Sequence, residues 1–223
     1  MEQRIDRAAW RRNAHDRLFA RLEVPFYSIT FRLDVTDAAA WAKKHGVSFY
    51  LTMVWATMRA VNSVEAFRYE LRGEEVWLLD HRNPSYTYPW DDELFGICGV
   101  EWINGESPID FIARCRAAEK NSTAPLPTAE ADAAGHDVYL SSLPWFDYEH
   151  ITQEFPLNNA DSTPRILWGK YETDEHGRRT LAYTVQVNHR LIDGIHLKRL
   201  YDALNGAISA LEEYEWKNPN GNR

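Results

Sequence analysis

Cysteine is scarce: Cys98 and Cys115 are the only two in 223 residues. Their spacing matches neither a metal site nor a redox motif, and a reduced, cytosolic setting is the expectation. Basic charge is also short. The 25 Lys and Arg face 33 Asp and Glu, a formal net charge of -8. That argues against nonspecific nucleic-acid binding, which needs a basic face, but leaves room for local cations around a phosphorylated ligand. No apolar run is long enough to span a bilayer, and the opening MEQRIDRAAW is too polar for a signal peptide. Neither nucleic acid nor membrane is an expected partner. There is no internal repeat and no glycine-rich phosphate loop; Gly46 and Gly73 stand alone as turn residues.

Aromatic residues are plentiful. The 9 Trp and 11 Tyr must find burial, a pocket or an interface. Hydropathy alternates along PFYSITFRLDVT, where Tyr27, Ile29, Phe31, Leu33 and Val35 fall on one face of a strand. A short helix follows, with Thr36 as its cap and Gly46 as its stop. SFYLTMVWATMRAVNSV is apolar nearly all round and reads as a buried helix. FRYELRGEEVWLLD reads as a hairpin turning at Arg72-Gly73, and PSYTYPW and LFGICGVEW continue as strands.

Ser107, Pro108 and Asp110 form a helix start, and that helix should run through Phe111, Ile112 and Cys115. STAPLPTAEADAAGHD reads as an exposed loop. DVYLSSLPWF returns to strand. PRILWGKYETDEHGRRTLAYTVQV forms a long hairpin turning at Asp174 to Gly177. Leu197, Leu200, Leu204, Ile208 and Leu211 recur at helical spacing. The sum is an α+β fold: a two-layer arrangement of a mixed, largely antiparallel sheet with helices packed on it. Residues 1–216 are expected to form one domain, and residues 217–223 a flexible C-terminal tail.

The segment TVQVNHRLIDGIHLKRL carries the chemistry. A strand ends near Val187, and His189, Asp193, Gly194 and His196 follow. Read as metal ligands, these residue types suit zinc, but no other cluster supplies a further ligand, so no metal is expected. Read structurally, the histidine is buried and the aspartate caps the last helix. Read catalytically, His189 is a general base: an imidazole titrates near neutrality, and a strand end holds it still while it reaches a cleft. Asp193 then pins the turn, and Gly194 allows a tight bend or a close approach.

Several motifs, in order along nearly the whole chain, resemble those of the chloramphenicol acetyltransferase family. They are Trp10-Arg11-Arg12 with His15 following, FYSITFRLDVT, Phe49-Tyr50, VEAFRYELRGEEVWLLD, SSLPW, WGKYE and QVNHRLIDGIH. The resemblance implies the CoA-dependent acyltransferase type of fold. It also implies a homotrimer with active sites at subunit interfaces, acetyl-CoA as cosubstrate, a small-molecule hydroxyl acceptor and no covalent acyl-enzyme. It assigns His189 as the base and Ser141 as the donor to the oxyanion. Asp193 and Arg12 become a structural salt bridge, and Tyr27 and Phe95 acceptor-pocket aromatics. His196 matches a further histidine in a supporting role. The chain departs from the family at Asn188, Leu167 and Tyr139, where a histidine, a threonine and a smaller polar residue are usual. A noncatalytic trimer of the same fold and an acyltransferase for another hydroxyl acceptor are the rival readings.

Overall fold

Residues 26–34 are rich in β-branched and aromatic side chains, which favour extended backbone, and they form one of the longest strands. The computed structural model describes residues 2–128 and 136–214. The strands are β1 (Gln3–Arg4), β2 (Phe26–Asp34), β3 (Tyr69–Arg72), β4 (Glu75–Leu78), β5 (Asn83–Pro89), β6 (Phe95–Gly99), β7 (Asp137–Leu143), β8 (Arg165–Gly169), β9 (Glu172–Thr173) and β10 (Arg179–Asn188). The helices are α1 (Asn13–Phe19), α2 (Thr36–His45), α3 (Phe49–Ser63), α4 (Pro108–Asn121) and α5 (Gly194–Ser209). The main sheet runs β2-β10-β8-β7-β5-β6, with β9 added beside β10. Its β5-β7 and β7-β8 pairs are parallel, and the others antiparallel. A small antiparallel sheet, β1-β4-β3, stands apart.

Strand β10 is covered on both faces. Leu181, Tyr183, Val185 and Val187 join the hydrophobic core. Tyr183 shares a 2.8 Å hydrogen bond with Thr57 of α3 on that side. The opposite row, Thr184, Gln186 and Asn188, is also buried but polar. It grips the connection 144–164. Thr184 Oγ1 lies 3.2 Å from the Tyr148 hydroxyl. Gln186 exchanges two hydrogen bonds with the backbone of Gln153. Asn188 Nδ2 donates to the carbonyls of Asn159 and Asp161, at 2.9 and 2.8 Å. Buried polar side chains are stable here because each has a partner.

Helix α3 buries ten residues, as its all-round apolar sequence leads one to expect, and Ser48 caps it by accepting from Leu51 N. Helix α5 buries Leu197, Leu200, Leu204, Ala207 and Ile208 along one stripe. Ser107 caps α4. The stop at Gly46 takes the left-handed conformation, φ +64°. Buried Arg82 ties the pieces together: its guanidinium donates to the carbonyls of Phe67 and Tyr69, of Asp137 at the start of β7, and of Ser162. Burial pushes its pKa down to about 10.

Two expectations need correction. Thr36 does not cap α2. The Asp34 carboxylate accepts from both the amide and the hydroxyl of Thr36, and the Thr36 hydroxyl accepts from Arg179 N. An aspartate two residues earlier thus takes the capping role, and the threonine is used to tie the helix to β10. Gly194 makes neither a tight bend nor a close approach within the chain. It is not among the positive-φ residues, and a Cβ there would meet nothing within 4 Å. The exposed loop expected after α4 is described as far as Thr128 and again from His136. Residues 129–135 and the expected tail at 217–223 lie outside the described residues.

Candidate active site

The turn 189–193 leaves β10 at Asn188 and feeds α5. The amides of Leu191 and Ile192 both donate to the Asn188 carbonyl at 3.1 Å, and His189 N donates to Pro25 O at 2.7 Å. His189 is therefore fixed at its own backbone as well as at its neighbours. Its imidazole packs against two aromatic rings. Phe19 stacks on one face, with centroids 3.9 Å apart and planes 12° apart. Tyr27 packs against the same imidazole at 4.4 Å, tilted by 37°. The Nδ1 atom is buried while a third of the side chain, 33%, is exposed. With Nδ1 inside, the exposed part of the ring lies away from that atom.

Arg12 builds the turn. It donates through Nε to the Arg190 carbonyl (2.7 Å) and through Nη2 to the His189 carbonyl (2.8 Å). The same guanidinium holds both oxygens of Asp193 at 2.5 and 2.6 Å. A planar fork meeting two carbonyls and a carboxylate is a task lysine cannot reproduce. The Arg12 guanidinium holds the Asp193 carboxyl below its ordinary value. Asp193 Oδ1 also approaches His189 Nδ1 to 3.1 Å, but the two are out of line for a hydrogen bond. His196 turns inward: its Nδ1 accepts from Asp193 N at 2.9 Å and so closes the first turn of α5. Burial first, and Arg12 second, hold its pKa down, which favours the neutral ring that can accept. Burial and the Asp193 charge push the Tyr27 hydroxyl up to about 12.

The structure brings His189, Asp193, Arg12 and Tyr27 together. It does not bring Ser141 or Phe95 to them within one chain. Ser141 lies on β7, in the cross-sheet row Ser141-Leu167-Thr184-Thr30. From that row, His189 is two strand spacings across, about 10 Å, and five residues along, about 17 Å. Ser141 Oγ lies 3.0 Å from Thr87 Oγ1. Phe95 begins the edge strand β6 on the far side of the sheet and is 58% exposed. Trp145 and Phe146, just beyond Ser141, are also exposed. The departures have clear surroundings. Asn188 is a buried clamp on the connection 144–164, Leu167 is buried beside Ser141, and the Tyr139 ring lies under the Arg165 guanidinium. A hollow of about 480 Å³ is lined by Asp34, Asp37, His176 and Arg178 among others. None of the residues at the His189 turn belongs to it. Among the described residues, no three His, Cys, Asp or Glu are grouped as metal ligands, and no helix is long and apolar enough to cross a membrane.

Sequence reasoning missed three residues at this site: Asp16, Phe19 and Arg190. Asp16 and Phe19 lie four and seven positions after Arg12, so all three fall on one face of α1. That spacing was the available signal. The helix itself has only seven residues and no apolar stripe to announce it.

Comparison with known proteins gives the family and the fold. Residues 2–205 match the profile of the family described as chloramphenicol acetyltransferase. Chloramphenicol acetyltransferase 2 of Escherichia coli is 27% identical over 205 residues, covering 90% of this chain and 94% of the relative. The chloramphenicol acetyltransferase of Streptomyces acrimycini is 29% identical, with 92% and 93% covered. A solved chloramphenicol acetyltransferase superposes with a TM-score of 0.85 at 25% identity, covering 93% of this chain and all of the other. The cubic core of a pyruvate dehydrogenase multienzyme complex superposes less closely, with a TM-score of 0.66 at 18% identity, and shares the fold. A sheet with these neighbours, ending in a histidine turn clamped by Arg12, belongs to an acyltransferase, and the chain is a member of the chloramphenicol acetyltransferase family.

Proposed function

We propose that this protein transfers the acetyl group of acetyl-CoA to a hydroxyl of chloramphenicol or a related small molecule, with His189 as general base and Ser141 as oxyanion donor. The observation that carries the reading is the His189 ring itself, held against Phe19 and Tyr27 with Nδ1 inward and part of the ring exposed. There, Nε2 takes the proton of the acceptor hydroxyl as its oxygen attacks the thioester carbonyl. The tetrahedral oxyanion accepts a hydrogen bond from Ser141. Collapse breaks the carbon–sulfur bond, and the CoA thiolate recovers the proton from His189.

His189 and Ser141 are too far apart on one chain to share a substrate. That separation supports a homotrimer in which one subunit supplies the base and its neighbour the serine. Tyr27 and Phe95 then line the acceptor pocket from the two sides, and exposed Trp145 and Phe146 belong at the contact. Asp193 and Arg12 support the turn without touching substrate. The reading places the protein in the cytoplasm, as one domain spanning 1–216.

A different hydroxyl acceptor is the second reading, and Leu167 favours it. Its hydrocarbon side chain occupies the row between Ser141 and Thr184, and it offers no hydrogen bond to an acceptor or a bound water. The deciding measurement is release of CoA thiol from acetyl-CoA by the purified protein, with and without chloramphenicol, beside His189→Ala. The expected result is drug-dependent release that His189→Ala abolishes. Release that persists in the variant removes His189 as the base. Release seen only with other alcohols establishes the second reading. No release with any acceptor from a folded trimer leaves a noncatalytic relative.

A further inference from the structure

A second clamp, beside that of Arg12, grips the His189 turn through Arg190. Arg190 is only 5% exposed, and Asp16 is fully buried. Arg190 Nε donates to Asp16 Oδ1 at 2.8 Å, and its Nη1 donates to the Asn159 carbonyl at 3.1 Å. Asn159 in turn donates from its side chain to the Ala20 carbonyl at 3.1 Å, just past the end of α1. The bonds close a ring: α1 at Asp16, Arg190, Asn159, and α1 again at Ala20. Phe19, whose ring stacks on His189, lies on the arc between Asp16 and Ala20. Arg190 is also the chain neighbour of His189, so the ring fixes both partners of the stack.

We propose that Arg190, with Asp16 and Asn159, is a positioning residue for the acyl-transfer reaction: it holds the His189 imidazole against Phe19 so that its open edge meets the acceptor hydroxyl. The proposal rests on the reading of His189 as the base. Structural economy alone gives no reason for this arginine. Asp16 already pairs with Arg7, so one carboxylate faces two guanidinium groups. Burial lowers the pKa of both arginines, which marks the cost of keeping them charged there. Removing Arg190 leaves a balanced Arg7-Asp16 pair. Stability and positioning can therefore be separated.

The test is Arg190→Met, which keeps the length and removes the charge. Steady-state kinetics, thermal melting and amide hydrogen exchange are read on the intact protein. The expected result is a fall in kcat of about tenfold or more with KM for both substrates held within about twofold, because orientation and not binding is lost. Tm stays level or rises. Exchange quickens at His189, Leu191 and Ile192 while the amides of β10 keep their protection. Arg190→Lys recovers part of kcat, since an ammonium reaches Asp16 but cannot fork to Asn159 as well. An unchanged kcat with unchanged exchange at the turn overturns the inference. So does a loss of kcat that follows a general loss of Tm and protection, which marks a merely structural residue. If the wild-type protein acetylates nothing, the functional reading fails on its own assay, and the exchange experiment still decides whether Arg190 holds the turn.

Discussion

Asp193 shows how much one side chain does when its partners are fixed. Its two oxygens take the Arg12 fork, and its amide is held by His196. The carboxyl pKa is lowered, chiefly by Arg12, so around the carboxylate range the folded protein binds fewer protons than the unfolded chain. Stability from this pair is therefore complete above the ordinary aspartate value of about 3.9 and is lost as pH falls through the lowered folded value. His196 adds loss of the same sign earlier in an acid titration. Its folded pKa is also lowered, so protonation begins to favour the unfolded chain below its ordinary value of about 6.5. Asp193→Asn should melt below the wild type at pH 7, and the gap should narrow as pH is taken below about 3.9. Thermal melts of the two proteins across that range check it, and a gap independent of pH would deny the carboxylate its charge-dependent part.

Elements were legible where packing follows local pattern, and obscure where it does not. The cap at Ser107 and the leucine stripe of α5 report a local hydrogen bond and an apolar face, and the alternation of 26–35 marks the strand although Ile29 on its apolar row is 40% exposed. The turn at Gly177 is equally local, with φ +82° and its amide bonded to Asp174 O. The Arg12-Asp193 pair at the His189 turn was legible through family resemblance. Helix α1 was not, because its burial is polar: an aspartate is ordinarily a surface residue, and Asp16 becomes an interior one through Arg7 and the distant Arg190. The inner row of β10 was hidden for the same reason, since Gln186 and Asn188 look like solvent-facing positions until the connection 144–164 covers them. Asn188→Ala tests that cover. It strips the donor from two carbonyls and the acceptor from Arg190 N, and a buried group left unpaired costs about 1–3 kcal/mol. Urea unfolding should show a loss of that size, with faster proteolysis confined to 144–164. Unchanged stability would mean that water replaces the amide without penalty.

On the scale of the whole molecule, the sheet decides what one subunit can and cannot do alone. His189 stands at the end of β10 beside one edge, whereas Ser141 lies in the interior of the sheet and Phe95 at the opposite edge. Strands do not slide, so no motion of the turn brings His189 to Ser141 of the same chain. A site that uses both is a site between copies, and in the cyclic trimer proposed above each interface would contain one His189 from one side and one Ser141 from the other. This arrangement makes a prediction that a site within one chain does not share. His189→Ala and Ser141→Ala should each be severely impaired, the serine variant by about a hundredfold. Mixed after dissociation and reassembled together, the two should recover activity, because random trimers place an intact histidine against an intact serine at about a quarter of their interfaces. The recovered rate, measured against an equal amount of wild-type trimer taken through the same reassembly, should approach that fraction. Activity that stays at the average of the two parents would place both residues in one subunit's site, and would require the sheet to bend in a way its register does not allow.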